Sequence, residues 1–445
     1  MRCLLVIYDN NSYVHQFPLG IAYIAAVLRN HGEEVEIYNQ DIHHYPDEHL
    51  TQYLNQKHFD LVGIGTVAGY YPYKKLLSIS RAINKSYNRK KFIYVIGGHM
   101  ISAAPEYFKE KTKADSIIIG EGEMAILDLV NHPGKSFYKS DPIINLDAIP
   151  QPAYELFPMG YYRLMRMPNC TNEDFLISIL SGRGCTFNCT FCYRLMPGVR
   201  LRSIDKIIQE IKYLKDRYSI TYIDFADDLT MTSKGRMADL CRSILSERLN
   251  IKWACEGRLN FVDRYTLTLM KKAGCVFINY GIECLNDQVL KDMKKALTVA
   301  QIYNGVQLTK EIGISQGLNI IWGNIGDTVK TLRLAVDFLK EFSDGSQLMT
   351  IRPVTPYPGC ELFDTAIKKG LIKDVSDFYE HKHINSDLLT VNFTGLSDNE
   401  FHNRLNWANK ILLKDYYHKQ YKKNKIQLRK LYIDKDVSFR GFRQT

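Results

Sequence analysis

A chain of 445 residues, 45% hydrophobic and 24% charged, carries enough apolar material for two or three domains with buried cores. No run approaches the roughly 18 apolar residues of a membrane helix, and the apolar start at residues 1–7 meets Asp9 and Asn10 too early for a secretory signal, so neither a membrane-embedded nor an exported protein is expected. The net charge of +10 is uneven: residues 410–445 hold eleven Lys/Arg against three Asp, interleaved with Tyr416, Tyr417, Tyr421 and Tyr432. Such a mix could bind RNA by phosphate contacts and stacking; a solvated amphipathic tail packed on the preceding domain is the plainer reading, and no nucleic-acid partner is expected.

Residues 1–130 alternate strand and helix patterns. Apolar runs at 3–8, 35–38, 61–65, 94–96 and 116–119 read as five short buried strands, each followed by a helical or glycine-bearing segment, and His31-Gly32 ends the first helix. This pattern predicts a doubly wound, Rossmann-like α/β domain over residues 1–135, with ligands beyond the carboxyl ends of its parallel strands. The turns Gly63-Ile64-Gly65-Thr66, Gly97-Gly98-His99 and Gly120-Glu121-Gly122-Glu123 fall at those ends, where a ligand needs close backbone approach. No clean G-x-G-x-x-G is present, so the turns do not specify a dinucleotide.

Residues 136–174 are proline-rich and read as a stiff linker. Strand and helix patterns resume at 175 and give six strand–helix units through residue 355, a partial (β/α)6 barrel with its chemistry at the carboxyl ends of the strands. Residues 356–445 form a C-terminal extension, with a helix near 398–413 ahead of the basic tail.

Three cysteines stand at C-x3-C-x2-C spacing, Cys185, Cys189 and Cys192, on a loop just after the first barrel strand. A trio this compact can grip one metal centre. With no obvious fourth ligand nearby, the spacing suggests a [4Fe-4S] cluster with one open iron; a zinc knuckle completed from a distance and three buried thiols are the competing readings. The other seven cysteines are scattered, several in apolar stretches where free cysteine behaves as a small hydrophobe, which fits a reducing cytoplasm.

The cysteine spacing and its neighbours resemble the radical S-adenosylmethionine (SAM) family. The order Phe17-Pro18-Leu19-Gly20-Ile21-Ala22-Tyr23, then Gly97-Gly98-His99, then Gly120-Glu121-Gly122-Glu123, is similar to the cobalamin-binding domain that precedes many radical SAM barrels. The resemblance covers about residues 1–400. It implies three cofactors, a [4Fe-4S] cluster on the three cysteines, SAM on its open iron, and cobalamin. For SAM it implies Phe191 beside the adenine, Tyr193 against SAM or substrate, Asp227 and Asp228 at the amino group, Glu283 at the ribose, and Asn319 in the fifth-strand segment flanking adenine. Helix capping by Asp227 and Asp228, and a surface salt bridge for Glu283, are the structural alternatives. For cobalamin it implies Leu19, Gly20, Gly65, Thr66, Gly97, Gly98, His99, Gly120, Glu121, Gly122 and Glu123. The D-x-H-x-x-G pattern that puts a histidine under cobalt is absent after the first strand, and Asp41-Ile42-His43 is only a partial echo, so cobalamin is expected without histidine ligation, His43 being a loop residue.

The activity implied is methylation of an unactivated carbon or phosphorus of a small molecule, with a flavodoxin or ferredoxin as electron donor. A radical cyclisation without net methyl transfer, and an RNA-modifying enzyme using the basic tail, are the alternatives.

Overall fold

The computed structural model describes residues 1–11 and 16–438. The first sheet is built from β1 (Arg2–Ile7), β2 (Glu34–Asn39), β3 (Leu61–Thr66), β4 (Ile93–Gly98), β5 (Ser116–Ile119) and β6 (Phe137–Lys139), in the order β2-β1-β3-β4-β5-β6 with every pair parallel. The central strands are apolar on both faces because helices cover both. In β1, Leu4 and Val6 join Tyr38, Ile64 and Ile96 in one core, while Cys3 and Leu5 join Leu28, Leu61 and Val95 in the other. The order reverses between β1 and β3, which opens a crevice at their carboxyl ends.

Six strands stand where five were expected. The sixth, β6, lies in the segment read as linker and pairs Phe137 with Ile117 of β5; at three residues it is too short to show a period. The rest of that segment is fastened rather than loose. Tyr154, Phe157 and Tyr162 are buried around Phe17, with ring centroids 5.1, 5.1 and 5.2 Å away, and Tyr154 Oη donates to Glu210 Oε1 at 2.6 Å.

The second sheet follows the expected six units. Its strands are β7 (Leu176–Ile179), β10 (Tyr222–Phe225), β11 (Lys252–Gly257), β12 (Cys275–Glu283), β13 (Ser315–Trp322) and β14 (Ile351–Pro353), all parallel and in simple chain order from β7 to β14. Between β7 and β10 the chain forms an unforeseen antiparallel pair, β8 (Gly182–Cys185) and β9 (Gly198–Leu201). The helix Ile204–Tyr218 starts at Ser203, whose side chain accepts from Lys206 N–H, and buries the expected face of Ile207, Ile208, Ile211 and Leu214.

Residues 354–391 return to the first domain. Val354, Cys360, Phe363 and Phe378 share a core with Met100 and Phe108, and Tyr379 stacks on Tyr73 at 4.8 Å. The last helix, Asp398–Tyr432, is 35 residues long, well beyond the expected stretch. Its first turns bury Phe401, Leu405, Ala408 and Leu412, and it touches the barrel domain as far as Gln420, whose amide donates to Gly345 O at 2.6 Å. Tyr421 and Tyr432 are exposed, and residues 439–445 of the basic tail lie outside the described residues. No helix among the described residues is long and apolar enough to cross a membrane.

Phe401 stacks on Trp322 with centroids 4.3 Å apart and lies against Gly323. Phe401→Ala is therefore expected to cost about 3–5 kcal/mol, whereas Tyr421→Ala and Tyr432→Ala stay within about 0.5 kcal/mol; urea unfolding of the three variants checks the contrast.

Candidate active site

The carboxyl ends of β1, β3, β4 and β5 open on a cavity of about 590 Å³, and all eleven residues expected at cobalamin line it. Its opposite wall comes from the second domain and includes Gly182, Arg183, Gly184, Met196 and Asp228. Gly98, at φ 110°, brings the end of β4 against β3 so closely that a Cβ would strike the Thr66 carbonyl. Thr66 lines this wall, and its Oγ1 is buried with no hydrogen-bond partner among the described residues. Narrow backbone approach, apolar walls and an unsatisfied hydroxyl suit a large ligand with polar edges, so the cavity fits cobalamin.

Two of the eleven behave otherwise than expected. Glu121 and Glu123 line the cavity, but their carboxylates are taken by Arg183 and Arg200 of the second domain. Burial alone would raise the Glu121 carboxyl; the hydrogen bonds from Arg200, Ile143 N–H and Arg183, with the Arg183 charge, together outweigh it and hold the group below its ordinary range. His99 is largely enclosed, which lowers its pKa, with the Asp228 charge opposing, and its ring meets Tyr193 edge-on at 4.5 Å. His43 is exposed and lies against Tyr45.

The cysteine loop is closed at its base by the β8–β9 ladder, in which Cys185 pairs with Gly198. Thr190 pins its middle, donating to Met293 O at 3.0 Å and accepting from Leu362 N–H at 2.8 Å. The three thiols are free, and Cys192 lies within electrostatic reach of Cys185, Cys189, Asp228 and Lys295. Among the described residues no three His, Cys, Asp or Glu side chains converge on the point a single ion would occupy. Three thiols delivered by one loop suit the ligand set of a four-iron cluster with one open iron.

The residues expected at SAM separate into groups. Phe191, Asp228 and Glu283 gather near Cys192: the Lys295 ammonium is 2.8 Å from Glu283 Oε1 and 5.9 Å from the Phe191 ring, and Asp228 accepts from Gly184 N–H at 2.8 Å. Asp227 points away from this space. Fully buried, it accepts from Ser181 N–H at 2.7 Å and Gly182 N–H at 3.1 Å and bonds Ser181 Oγ, so it anchors the loop's entry instead of meeting a ligand amino group or capping a helix. Burial pushes its carboxyl up to about 6, against those hydrogen bonds. Tyr193 continues past the loop onto His99, with Gly359 beneath its ring. Asn319 lies inside the barrel and donates to Asn279 Oδ1 at 2.9 Å, and Asn279 donates to both oxygens of Glu256 at 3.0 Å.

The sequence reading missed Lys295 and Glu256. Glu256 is the lone acid of β11, following the apolar run Trp253-Ala254-Cys255, a signal that could have marked it; burial pushes its carboxyl up to about 7, with Asn279 opposing and Asp224, Asp227 and Glu283 adding. Lys295 sits in an ordinary lysine pair with no local signal. Its ion pair with Glu283 is buried, not on the surface, and crosses Gly281 so closely that a Cβ there would lie 2.5 Å from Glu283 Oε1. Glu283 itself has φ 66°, where the β12–β13 register shifts.

Comparison with known proteins agrees with this architecture. The Radical SAM superfamily model matches residues 179–339, and the B12 binding domain model matches residues 6–130. The uncharacterized methyltransferase PH0819 of Pyrococcus horikoshii is 29% identical over 402 residues, 84% of this chain and 84% of its own length. The anaerobic magnesium-protoporphyrin IX monomethyl ester cyclase of Rubrivivax gelatinosus is 23% identical, over 82% of this chain and 69% of its own. The radical S-adenosylmethionine methyltransferase TsrM from Kitasatospora setae, solved with cobalamin and a [4Fe-4S] cluster bound, shares the fold with a TM-score of 0.66 at 16% identity, over 83% of this chain and 75% of that one. The chain carries a B12-binding domain followed by a radical SAM domain. It is a radical SAM enzyme, and its cofactors are a [4Fe-4S] cluster, SAM and cobalamin.

Removing one partner of a buried ion pair leaves the other charge uncompensated. Glu283→Gln is thus expected to cost the cofactor-free protein about 3–5 kcal/mol, and adding Lys295→Met to recover part of that loss; denaturant melts of the two single variants and the double variant measure it.

Proposed function

We propose that this enzyme methylates an unactivated carbon or phosphorus centre of a small molecule in the space between the cysteine loop and the cobalamin cavity. The observation that carries this reading is the direct contact of the two sites: Tyr193, next to Cys192, lies on His99, and Met196 reaches Gly120, both in the cavity wall. Bound here, cluster and SAM would supply hydrogen-atom abstraction and cobalamin the methyl group.

In this reading Cys185, Cys189 and Cys192 hold the cluster. Phe191 covers the SAM adenine, Asp228 and the Lys295–Glu283 pair meet its polar groups, and Asn319 borders it from β13. Asp227 fixes Ser181 and Gly182 so that the loop leaves β7 in one direction. Leu19, Gly20, Gly65, Thr66, Gly97, Gly98, His99, Gly120 and Gly122 contact cobalamin through small side chains and backbone, with no histidine ligating cobalt. Residues 1–135 together with β6 serve cobalamin, and residues 175–355 serve the cluster and SAM. Residues 354–391 and the buried tyrosines of the linker pack across the junction between the two domains. Ten free cysteines suit a reducing cytoplasm, where a flavodoxin or ferredoxin would supply electrons.

The similarity to a cyclase supports a second reading, radical cyclisation with no net methyl transfer. Product mass separates the two: methylation adds one CH2, about 14 Da, with the label of methyl-labelled SAM appearing in the product. The cofactor assignment is checked first. Anaerobically reconstituted protein should hold about four irons and one cobalamin, and a Cys185→Ala, Cys189→Ala, Cys192→Ala variant should lose the iron while keeping the cobalamin. Unchanged iron in that variant refutes the cluster site.

A further inference from the structure

The turn Gly120-Glu121-Gly122-Glu123 sends two carboxylates out of the first domain, and they meet the two arginines that flank the cysteine loop. Arg183 lies in β8, two residues before Cys185, and Arg200 lies in β9, the strand that closes the loop. Arg200 Nη1 and Nη2 donate to Glu121 Oε2 and Oε1 at 2.7 and 2.8 Å, the parallel two-bond geometry of a guanidinium and a carboxylate. Nη1 also donates to Ile143 O at 2.8 Å, and Ile143 N–H returns a bond to Glu121 Oε2 at 2.9 Å. Arg183 donates to Glu121 Oε1 at 3.2 Å and to Glu123, and its guanidinium lies 5.4 Å from the Tyr23 ring centroid. The Glu121 and Glu123 side chains are 3% and 6% exposed and the arginines 12% and 17%, so the network is nearly dry.

A buried ion pair adds little net stability over apolar packing, because desolvation offsets the attraction; what it imposes is direction and distance. This one ties the cobalamin-lining turn to both strands of the hairpin that presents the cysteines. We propose that Glu121, with Arg200 and Arg183, is a positioning device that fixes the separation and tilt of the cysteine loop relative to the cobalamin cavity. It rests on the functional reading above and assigns these residues a task apart from contact with either cofactor. The side chains are already committed to one another, and both fixed ends of the loop are held to one turn. Small misplacements between reacting groups carry large rate penalties, so a device of this kind has a purpose wherever two cofactors serve one substrate.

The test uses Arg200→Lys, which keeps the charge but loses the two-bond geometry, and Glu121→Gln, which keeps the shape but loses the charge. Each full-length variant is loaded with iron, sulfide and hydroxocobalamin, and iron and cobalt are counted. The distance distribution between the reduced cluster and cob(II)alamin is then read by pulsed electron paramagnetic resonance. In parallel, hydrogen exchange is followed at residues 120–123 and 182–201 of the unloaded chain. The expected result is wild-type iron and cobalt, a broadened or shifted distance distribution, and faster exchange confined to those two stretches. A residue that only stabilised the fold would lower the melting temperature and leave the distance unchanged. An unchanged distance in both fully loaded variants overturns the proposal, and so does failure of both to fold, which would make the network a folding element. Wild-type protein that takes up iron but no cobalamin overturns the functional reading itself, a result distinct from either.

Discussion

Parallel strands leave their carboxyl ends, and the helix N-termini that follow, along a single edge of a sheet. This chain turns two such edges toward each other, and the rest of the structure depends on holding them apart by a fixed, ligand-sized gap. Contact is made where backbone is bare or side chains are already paired: Tyr193 on His99, Met196 at Gly120, and the two arginines of the hairpin on Glu121 and Glu123. Without that arrangement the cavity would be an open crevice and the cysteine loop a surface loop.

Three other segments lock the same geometry. The proline-rich connector contributes β6 to the first sheet and then lays Tyr154, Phe157 and Tyr162 around Phe17, with Tyr154 bonded to Glu210 of the first barrel helix. Residues 354–391 fill a core shared with the first domain, and Leu362 N–H reaches back to Thr190 within the cysteine loop. The final helix packs along the β14 edge of the open barrel through Phe401 and Leu405, and Asn409 bonds the Ile351 backbone in both directions. Connector, extension and last helix thus brace a site to which their own residues contribute few chemical groups.

Inside the barrel, polar residues are arranged by depth. A plug of Leu176, Tyr222, Ala254 and Phe277 closes the amino-terminal end beneath Met165. Above it lie the Ser178–Asp224 hydrogen bond and the Asn319–Asn279–Glu256 chain, and nearer the cysteine loop is the Glu283–Lys295 pair. Burial raises the pKa of both Asp224 and Glu256, and each accepts from a neutral partner, the Ser178 hydroxyl and the Asn279 amide.

Local patterns were enough to reveal both sheets, the helix Ile204–Tyr218 to its end residues, the three clustered cysteines and the glycine turns of the cobalamin cavity. All of these rest on short-range rules: strand and helix periods, caps, and ligands crowded into one loop. The three-residue β6 and the β8–β9 ladder escaped because neither is long enough to show a period. The roles of individual charges were decided only by tertiary structure. Asp227 and Asp228 are adjacent, yet alternation along the chain turns one into the protein to hold Ser181 and leaves the other facing the cavity. Glu121 reads as a ligand contact until folding delivers Arg200 from 79 residues away, and Glu283 reads as a ribose contact or a surface salt bridge until Lys295 pairs with it in a buried position across Gly281. A charge takes its role from the partner it is buried with, and nothing in the local sequence specifies that partner.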